Sequence, residues 1–269
     1  MFFALRGSQI NGEKFISQAI KKGACAVISS KKNKKKPKII KVKNVRECLG
    51  KICSKFYASK PKNIIAVTGT NGKSSVADFF HQILSLNSLP VATIGTLGVK
   101  TKKIKQLSLT SPDIISLHRE LNDLKKKKIE NVLLEASSHG LKQGRLNGIN
   151  FRGAIFTNFS QDHLDYHKTM KNYLNSKLIL IKNLLKEKSY VITDETIPEY
   201  KIIKKIAHKK KFKKVLINFF ENKYNLDDFK LIGDFQKKNL LMAIKACELI
   251  GLNKNKINRS INKLKSVKG

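Results

Sequence analysis

Residues 64–75 read IIAVTGTNGKSS, an apolar run followed by a glycine-rich turn and the beginning of a helical pattern. Gly69 and Gly72 would let backbone amides approach phosphate oxygens closely, and the helix that follows would add its positive N-terminal end. Lys73 can bridge the β- and γ-phosphates of a nucleotide, and the hydroxyl of Ser74 can bind Mg²⁺. The stretch therefore predicts a phosphate-binding loop. A kinase, an ATPase and an ATP-driven ligase all remain compatible with it.

Short apolar runs alternate with helical patterns after this loop. The runs cover residues 64–67, 91–94, 132–134, 154–156 and 190–192, and the helical patterns cover 74–86, 114–124, 173–185, 236–250 and 254–264. Alternation of this kind is typical of an α/β domain with a mainly parallel sheet and helices on both faces. We therefore expect a P-loop-type central domain over residues 61–269.

The first sixty residues predict a smaller α/β unit. Strand-like runs cover residues 2–5, 24–28 and 39–42, and helical patterns cover 13–22 and 45–57. Lys60-Pro61-Lys62 is a natural boundary, because proline disfavours helical backbone in the residue before it. We therefore expect an N-terminal domain over residues 1–60.

The chain has 269 residues and a net charge of +36, from 55 lysines and arginines against 19 acidic residues. Only six of the basic residues are arginines, and arginine is the side chain that grips phosphate and guanine with paired hydrogen bonds. We therefore read the lysine clusters as solvated surface and expect no specific nucleic-acid partner. A basic RNA-binding protein is the weakest of the functions we consider.

Other classes of protein are excluded by pattern. The longest apolar runs are far too short to span a bilayer, and the N-terminus, MFFALRG, does not read as a signal peptide. The cysteines form no C-x-x-C pair, so we interpret them as free buried thiols in a reducing cytosol. They are Cys25, Cys48, Cys53 and Cys247. The expected location is therefore the cytoplasm, with no membrane partner.

Polar side chains follow two of the predicted strands. Glu135 ends one strand and is followed by ASSHGLKQGR, and another strand ends in TNFSQDHLDYH. The carboxyl ends of parallel strands collect on the ligand side of a sheet, so both segments should lie beside the phosphate loop. Carboxylate and histidine side chains there suit metal coordination and charge stabilisation.

Together these segments resemble the Mur ligases of bacterial cell-wall synthesis, and most closely the branch of UDP-N-acetylmuramoyl-tripeptide synthetases. The resemblance covers nearly the whole chain, in the family's order. Its matching stretches include VTGTNGKSS, IGTLG, LTSPD, EASSHGLKQGR, FTNFSQDHLDYHKTMKNYLNSK and GDFQKKNLLMAIKAC. It implies an ATP-dependent amide-bond ligase that adds the third amino acid, diaminopimelate or L-lysine, to UDP-N-acetylmuramoyl-L-Ala-D-Glu through an acyl phosphate.

The resemblance also implies a role for each group of site residues. ATP would be held by Gly69, Thr70, Asn71, Gly72, Lys73, Ser74, Ser75 and Asn239. Mg²⁺ would be held by Ser74, Glu135, His163 and, if CO₂ converts it to a carbamate, Lys177. The substrate would be held by Ser8, Gln9 and Ile10 at its uridine end and by Thr110, Ser111, Ser137, Gln143 and Arg145 at its dipeptide end. Lys73, Lys177 and His163 are the implied catalytic residues.

The chain departs from the family pattern in two ways. Gln236 stands where the family usually has an asparagine, and Ser74 replaces the commoner threonine but keeps the hydroxyl. The resemblance also begins inside the family's first domain and ends at SVKG, before its third. We therefore expect this chain alone to bind nucleotide and UDP-sugar peptide weakly and to ligate little. The alternative is a non-catalytic nucleotide- or UDP-muramyl-binding derivative that needs a partner chain.

Overall fold

The computed structural model describes residues 1–7, 10–31, 39–101, 104–105, 110–217, 224, 226 and 233–265. Ser8 and Gln9, predicted to hold the uridine end of a substrate, lie outside them.

The N-terminal part of the chain forms a small parallel sheet with two helices. Its three described strands are β1 Phe2–Phe3, β2 Val27–Ser29 and β3 Ile39–Lys41, in that order across the sheet. The helices are α1 Ile16–Lys21, which follows a single 3₁₀ turn over Gly12–Phe15, and α2 Val45–Phe56. Asn44 begins α2 by accepting hydrogen bonds from the backbone amides of Arg46 and Glu47.

A second sheet contains eight strands in the described part of the chain. They are β4 Asn63–Thr68, β5 Val91–Gly95, β6 Gly98–Lys100, β7 Ile104–Lys105, β8 Asn131–Glu135, β9 Phe151–Phe156, β10 Leu185–Asp194 and β11 Lys213–Ile217. Their order is β11-β10-β9-β4-β8-β5-β6-β7. The first six of that order are parallel, and β6 and β7 extend the sheet with two antiparallel strands.

The helices that pack with this sheet are α3 Lys73–Leu86, α4 Ile114–Lys126, α5 Ser138–Lys142, α6 Leu164–His167, α7 Met170–Ile179, α8 Tyr200–Lys209, α9 Asp234–Leu249 and α10 Lys254–Ile261. Five of them were predicted and differ from the prediction mainly at their ends, whereas α5, α6 and α8 were not predicted. The helix predicted over 173–185 begins earlier and changes to a π-helical turn over Leu180–Leu184.

The core lies on both faces of the large sheet. Strand β4 is buried along its whole length, and its alternate residues enter different hydrophobic clusters. Ile64 and Ala66 pack with residues of α4 and α8, whereas Ile65 and Val67 pack with residues of α3, α9 and α10. The predicted α/β class, with a mainly parallel sheet and helices on both faces, is therefore confirmed.

A small hydrophobic contact joins the N-terminal part of the chain to the large sheet's helices. Leu49 and Cys53 of α2 pack with Ile114 of α4, and Phe3 and Leu5 cover them. Helix α2 therefore packs directly against α4.

All four cysteines are free, as predicted, but the expectation that all are buried is wrong. Cys53 and Cys247 are buried, Cys48 is half-buried and Cys25 is exposed. Cys25 follows the turn at Gly23, where the chain runs over the surface between α1 and β2. None of the helices in the described ranges combines the length and apolar character that crossing a bilayer requires.

Candidate functional site

The phosphate loop has the strand–loop–helix setting that the sequence predicted. Strand β4 ends at Thr68, and α3 begins at Lys73 without a side-chain cap. Gly69 and Gly72 have φ values of +151° and +82°. A Cβ on Gly69 would overlap Oγ1 of Thr157, and one on Gly72 would overlap Oδ1 of Asn239. Only glycine fits either position, so the backbone of the loop stays open to an incoming anion.

The segment after β9 holds this loop in place. The amide of Thr70 donates to the carbonyl of Asn158 (3.0 Å), and the amide of Asn71 donates to Oδ1 of Asn158 (2.9 Å). Oγ1 of Thr157 donates to the carbonyl of Asn71 (2.6 Å), and the amide of Ser160 donates to Oγ1 of Thr70 (3.1 Å). These bonds fix the loop before any ligand arrives, which lowers the ordering cost of binding.

Two lysines converge on the carbonyl of Gly69. Nζ of Lys73 donates to it at 3.0 Å and to the carbonyl of Thr70 at 2.7 Å. Nζ of Lys177 donates to it at 2.6 Å and lies 4.4 Å from the ring centroid of Tyr173. Lys177 is only 2% exposed, so it does not belong to the solvated lysine surface. Burial lowers the pKa of Lys73, and burial followed by the charge of Lys73 lowers the pKa of Lys177 to about 7.

Glu135 lies at the end of β8, beside the first turn of α3. Its carboxylate is 3% exposed and accepts hydrogen bonds from Oγ of Ser74 (3.0 Å), Oγ1 of Thr96 (3.1 Å) and the amide of Thr96 (3.2 Å). A Cβ on Gly95 would overlap this carboxylate. Burial raises the pKa of Glu135 in spite of its hydrogen bonds.

The residues predicted to hold Mg²⁺ fall into separate groups. Ser74 and Glu135 touch each other and present the hard oxygen ligands that Mg²⁺ prefers. Because a nearby cation would offset the cost of burying the carboxylate, this pair fits the ion. Lys177 lies against Gly69, and His163 belongs to a different cluster. Among the described residues, no three His, Cys, Asp or Glu side chains come together as a complete metal site.

His163 lies in a cluster of aromatic and histidine rings. Its ring centroid is 5.0 Å from that of His139 and 5.9 Å from that of Tyr173. Its backbone has a φ of +50°, a strained value for a residue with a Cβ, at the N-terminus of α6. The cluster reaches the phosphate loop through Tyr173, whose hydroxyl oxygen lies 3.3 Å from that of Thr70.

His167, which the sequence placed among the histidine and carboxylate residues suited to metal coordination after β9, is the most buried histidine of that ring cluster. Its side chain is fully buried, and Nε2 lies 3.0 Å from Oγ of Ser138. Burial, followed by the charge of Lys142, lowers its pKa to about 4, so it is neutral at pH 7.

The residues predicted to hold the dipeptide form one connected network. Oγ of Ser111 donates to the carbonyl of Glu135 (3.0 Å) and lies 3.2 Å from Oγ of Ser137. Arg145 donates to the carbonyl of Ser111 (2.8 Å) and to Oε1 of Gln143 (2.6 Å from Nη2). The network therefore joins the substrate residues directly to the strand that carries Glu135.

Two further contacts involve residues that were predicted to bind substrate or ATP. Thr110 lies with its Oγ1 3.3 Å from Oγ1 of Thr96, the hydroxyl that also contacts Glu135. Thr96 lies within the IGTLG stretch, and the sequence predicted no role for it. On the other side, Asn239 at the start of α9 abuts Gly72 and donates to Oε1 of Gln236 (3.2 Å). Ser75 lies half-buried in the first turn of α3.

The predicted uridine end of the site is separate from the phosphate loop. Ile10 is 60% exposed and lies in a turn near an open cavity of about 520 Å³. The cavity is lined by residues of both the first strand's loop and the start of α2, including Arg6, Asn11, Glu13, Lys43, Asn44 and Arg46.

Two family models match the chain. One, described as the Mur ligase middle domain, matches residues 67–231. The other, described as the Mur ligase family catalytic domain, matches residues 1–57.

Curated relatives match over the whole of this chain. UDP-N-acetylmuramoyl-L-alanyl-D-glutamate–2,6-diaminopimelate ligases of Rickettsia bellii and Rickettsia conorii are each 39% identical to it, over 294 and 297 residues. These alignments cover 100% of this chain and 61% and 62% of the relatives. The chain thus spans about 60% of the length of these relatives.

Solved structures show the same fold. A structure of a UDP-N-acetylmuramoyl-L-alanyl-D-glutamate–2,6-diaminopimelate ligase matches with a TM-score of 0.83 and 29% identity, over 100% of this chain and 60% of that one. The MurF ligase of Thermotoga maritima in complex with ADP matches with a TM-score of 0.57 and 15% identity, over 98% of this chain and 63% of that one.

Proposed function

Because the chain belongs to the Mur ligase family, we propose that it provides the nucleotide and UDP-sugar sites of an ATP-dependent amide-bond ligase. The reaction would join 2,6-diaminopimelate to UDP-N-acetylmuramoyl-L-Ala-D-Glu in peptidoglycan precursor synthesis, a step in the cytoplasm that supports cell shape and division. Residues 1–60 would bind the UDP end of the substrate, and residues 61–269 would bind ATP. Diaminopimelate is preferred to L-lysine because it is the amino acid in the names of the relatives.

The observation that carries the proposal is the position of Glu135 between the residues predicted to bind ATP and the residues predicted to bind the substrate. Its carboxylate accepts a hydrogen bond from Ser74 of the phosphate loop, and its backbone carbonyl accepts one from Ser111 of the substrate network. A nucleotide on the loop and a carboxylate substrate on the network would therefore meet at this residue. Holding two reactants together is the main part of such catalysis.

In the proposed reaction, an oxygen of the D-Glu side-chain carboxylate attacks the γ-phosphorus of ATP, and ADP leaves. The amine of diaminopimelate then attacks the acyl carbon, an amide bond forms, and inorganic phosphate and a proton leave. Lys73 would stabilise the negative charge that moves between the phosphates. Arg145 and Gln143 would orient the substrate, and Asn239 would contact the nucleoside. Mg²⁺ held by Ser74 and Glu135, with His163 as the further ligand that the family resemblance implies, would neutralise phosphate charge.

Lys177 would be carbamylated in the working enzyme. A neutral amine is the form that attacks CO₂, and a pKa of about 7 leaves much of Lys177 neutral at physiological pH. A new N–C bond forms, a proton leaves, and the cation becomes an anion. The carbamate would lie next to Gly69 and could help to hold a second Mg²⁺.

Ligand binding and product formation test the proposal separately. We expect the chain to bind ADP in the presence of Mg²⁺, and we expect Lys73→Met to lose that binding while the surface variant Lys55→Met keeps it. Mass spectrometry of reaction mixtures with diaminopimelate or L-lysine then shows which amino acid is added. Nucleotide binding with no detectable product would instead favour the non-catalytic alternative.

A further inference from the structure

Arg46 connects two loops that are distant in the sequence. It lies in the first turn of α2, and its guanidinium donates in two directions. Nη2 donates to the carbonyl of Arg6 (2.8 Å), and Nη1 donates to the carbonyl of Gln143 (3.0 Å). Sequence analysis and the family models assign no role to this side chain.

The first of these loops is a tight turn, which we call the N-terminal turn and define by its described residues Leu5–Gly7 and Ile10–Gly12. The amide of Gly7 donates to the carbonyl of Ile10 (2.8 Å), and the amide of Gly12 donates to the carbonyl of Leu5 (2.8 Å). Arg6 and Asn11 form an isolated antiparallel bridge within it. Its shape is therefore set by its own backbone, and Arg46 fixes where it lies.

The second loop, which we call the substrate loop, is residues 143–147 after α5. It carries Gln143 and Arg145, which belong to the network that reaches Ser111 and Glu135. Holding the carbonyl of Gln143 therefore restrains the loop whose side chains lie in the proposed dipeptide site.

Helix α2, which carries Arg46, is tightly packed and well capped. Gly50 of α2 packs so closely on the chain at Asn147 and Gly148 that an added Cβ would lie 2.7 Å from the carbonyl oxygen of Asn147. Asn44 caps the helix at the amide of Arg46 itself (3.1 Å). The planar guanidinium offers donors in a fixed fork, which suits a bridge between two carbonyls better than a lysine ammonium does.

We propose that Arg46 is a positioning residue that sets the spacing between the N-terminal turn and the substrate loop for one ligand that contacts both, a sugar peptide linked to a nucleoside diphosphate. The inference rests on the proposed function for the identity of that ligand. A ligand that touches two sites gains affinity only while the sites keep the spacing that the ligand spans. If either loop is released, binding must also order it again.

The test compares the spanning ligand with UDP, which is one part of it, and with ADP, which is a separate ligand. Isothermal titration of the full chain with Mg²⁺ present would use UDP-N-acetylmuramoyl-L-Ala-D-Glu, UDP and ADP as separate ligands. We expect Arg46→Ala to weaken binding of the spanning ligand by about tenfold or more, as for the loss of hydrogen bonds to a charged group. The affinity for UDP should change by less than about twofold, because this fragment needs only the N-terminal turn. The affinity for ADP should change as little, because the phosphate loop is neither of the two loops that Arg46 bonds.

Two further variants separate positioning from charge. Arg46→Lys keeps the charge but not the fork, so it should recover only part of the lost affinity. Lys51→Ala removes a charge from the exposed side of the same helix, where Lys51 pairs with Glu47 (2.7 Å), and should leave all three affinities unchanged. Full recovery by lysine, or an equal loss for UDP alone, would overturn the proposal.

Hydrogen exchange without ligand decides the structural part independently. Arg46→Ala should speed exchange in peptides covering residues 5–12 and 143–147 and leave β4 unchanged. Unchanged exchange in both loops would overturn the inference, whatever the binding results. If the wild-type chain does not bind the spanning ligand but both loops exchange faster in Arg46→Ala, the positioning role stands and the proposed function fails.

Discussion

At the scale of single residues, Lys177 shows how burial prepares a side chain for chemistry. Its ordinary pKa of 10.5 falls to about 7 because the ammonium is buried and lies near Lys73. The unfolded chain therefore binds a proton between these two pH values that the folded chain releases. The stability of the folded protein accordingly falls as the pH falls from about 10.5 to about 7, and the full cost of the buried charge is present below pH 7.

Replacing Lys177 with methionine should remove this dependence. We expect Lys177→Met to stabilise the ligand-free protein in CO₂-free buffer at pH 7 and below, with a gain that fades towards pH 10. Urea unfolding at several pH values measures it, with the exposed Lys171→Met on the same helix as the control. A gain that is independent of pH would show that packing, rather than the buried charge, is responsible.

Glu135 presents the complementary case of a buried carboxylate. Its pKa is raised, so the contribution of this group to stability is largest below the ordinary carboxyl pKa of 4.5 and is lost as the pH rises through the folded value. We expect Glu135→Gln to stabilise the ligand-free protein at pH 7. The same change should weaken Mg²⁺-dependent ADP binding by about tenfold or more if the carboxylate holds the ion.

The measurement for Glu135→Gln is ADP titration with and without Mg²⁺, together with thermal unfolding. Glu130→Gln serves as the control, because Glu130 lies more exposed at the far end of β8 and pairs with Lys125. ADP affinity that keeps its full dependence on Mg²⁺ in Glu135→Gln would remove this residue from the metal site.

At the scale of elements, the sequence predicted secondary structure best where the surroundings of an element allow only one type of residue. The run 64–67 predicted β4 because a strand buried on both faces must be apolar throughout. Glycine and lysine at the phosphate loop predicted the beginning of α3 for a similarly local reason. Strand β6 and the edge strands β7 and β11 were missed, because strands this short carry too little of a pattern to be recognised.

Long-range contacts in the site were harder to predict than its residue types. Glu135 was expected near the phosphate loop from the rule on parallel strands, but its contact with Thr96 depends on β5 lying next to β8. The order of strands is set by packing of the whole domain. Similarly, Arg46 reads as one more basic residue in an amphipathic helix until α2 is placed against the substrate loop.

The tight packing of α2 against the backbone at Asn147 predicts that Gly50 tolerates no side chain. Alanine favours a helix over glycine by about 1 kcal/mol, so Gly50→Ala would be stabilising if space were available. Because the added methyl would overlap the backbone at Asn147, we expect a net loss of about 1–3 kcal/mol in the free energy of unfolding. Chemical denaturation measures it, and Lys51→Ala reports the effect of an exposed change in the same helix.

At the scale of the whole molecule, anion binding that results from the net charge of +36 must be distinguished from anion binding at the phosphate loop. A lysine-rich surface attracts any polyanion, and that attraction depends on released counterions. The phosphate loop instead offers a fixed backbone, a buried lysine and the start of a helix. Two kinds of anion binding should therefore coexist on this chain and respond differently to salt.

We expect a single-stranded RNA oligonucleotide to lose about a thousandfold in affinity between 50 and 200 mM salt, as for a protein that contacts several phosphates without a specific site. Binding of ADP with Mg²⁺ should fall far less, because its contacts lie in a partly buried site that salt screens weakly. Fluorescence anisotropy with labelled RNA and labelled ADP measures both on the same sample. RNA that stays bound at 200 mM salt and displaces ADP would mean that the phosphate loop serves nucleic acid, and would revive the RNA-binding function that the scarcity of arginine argues against.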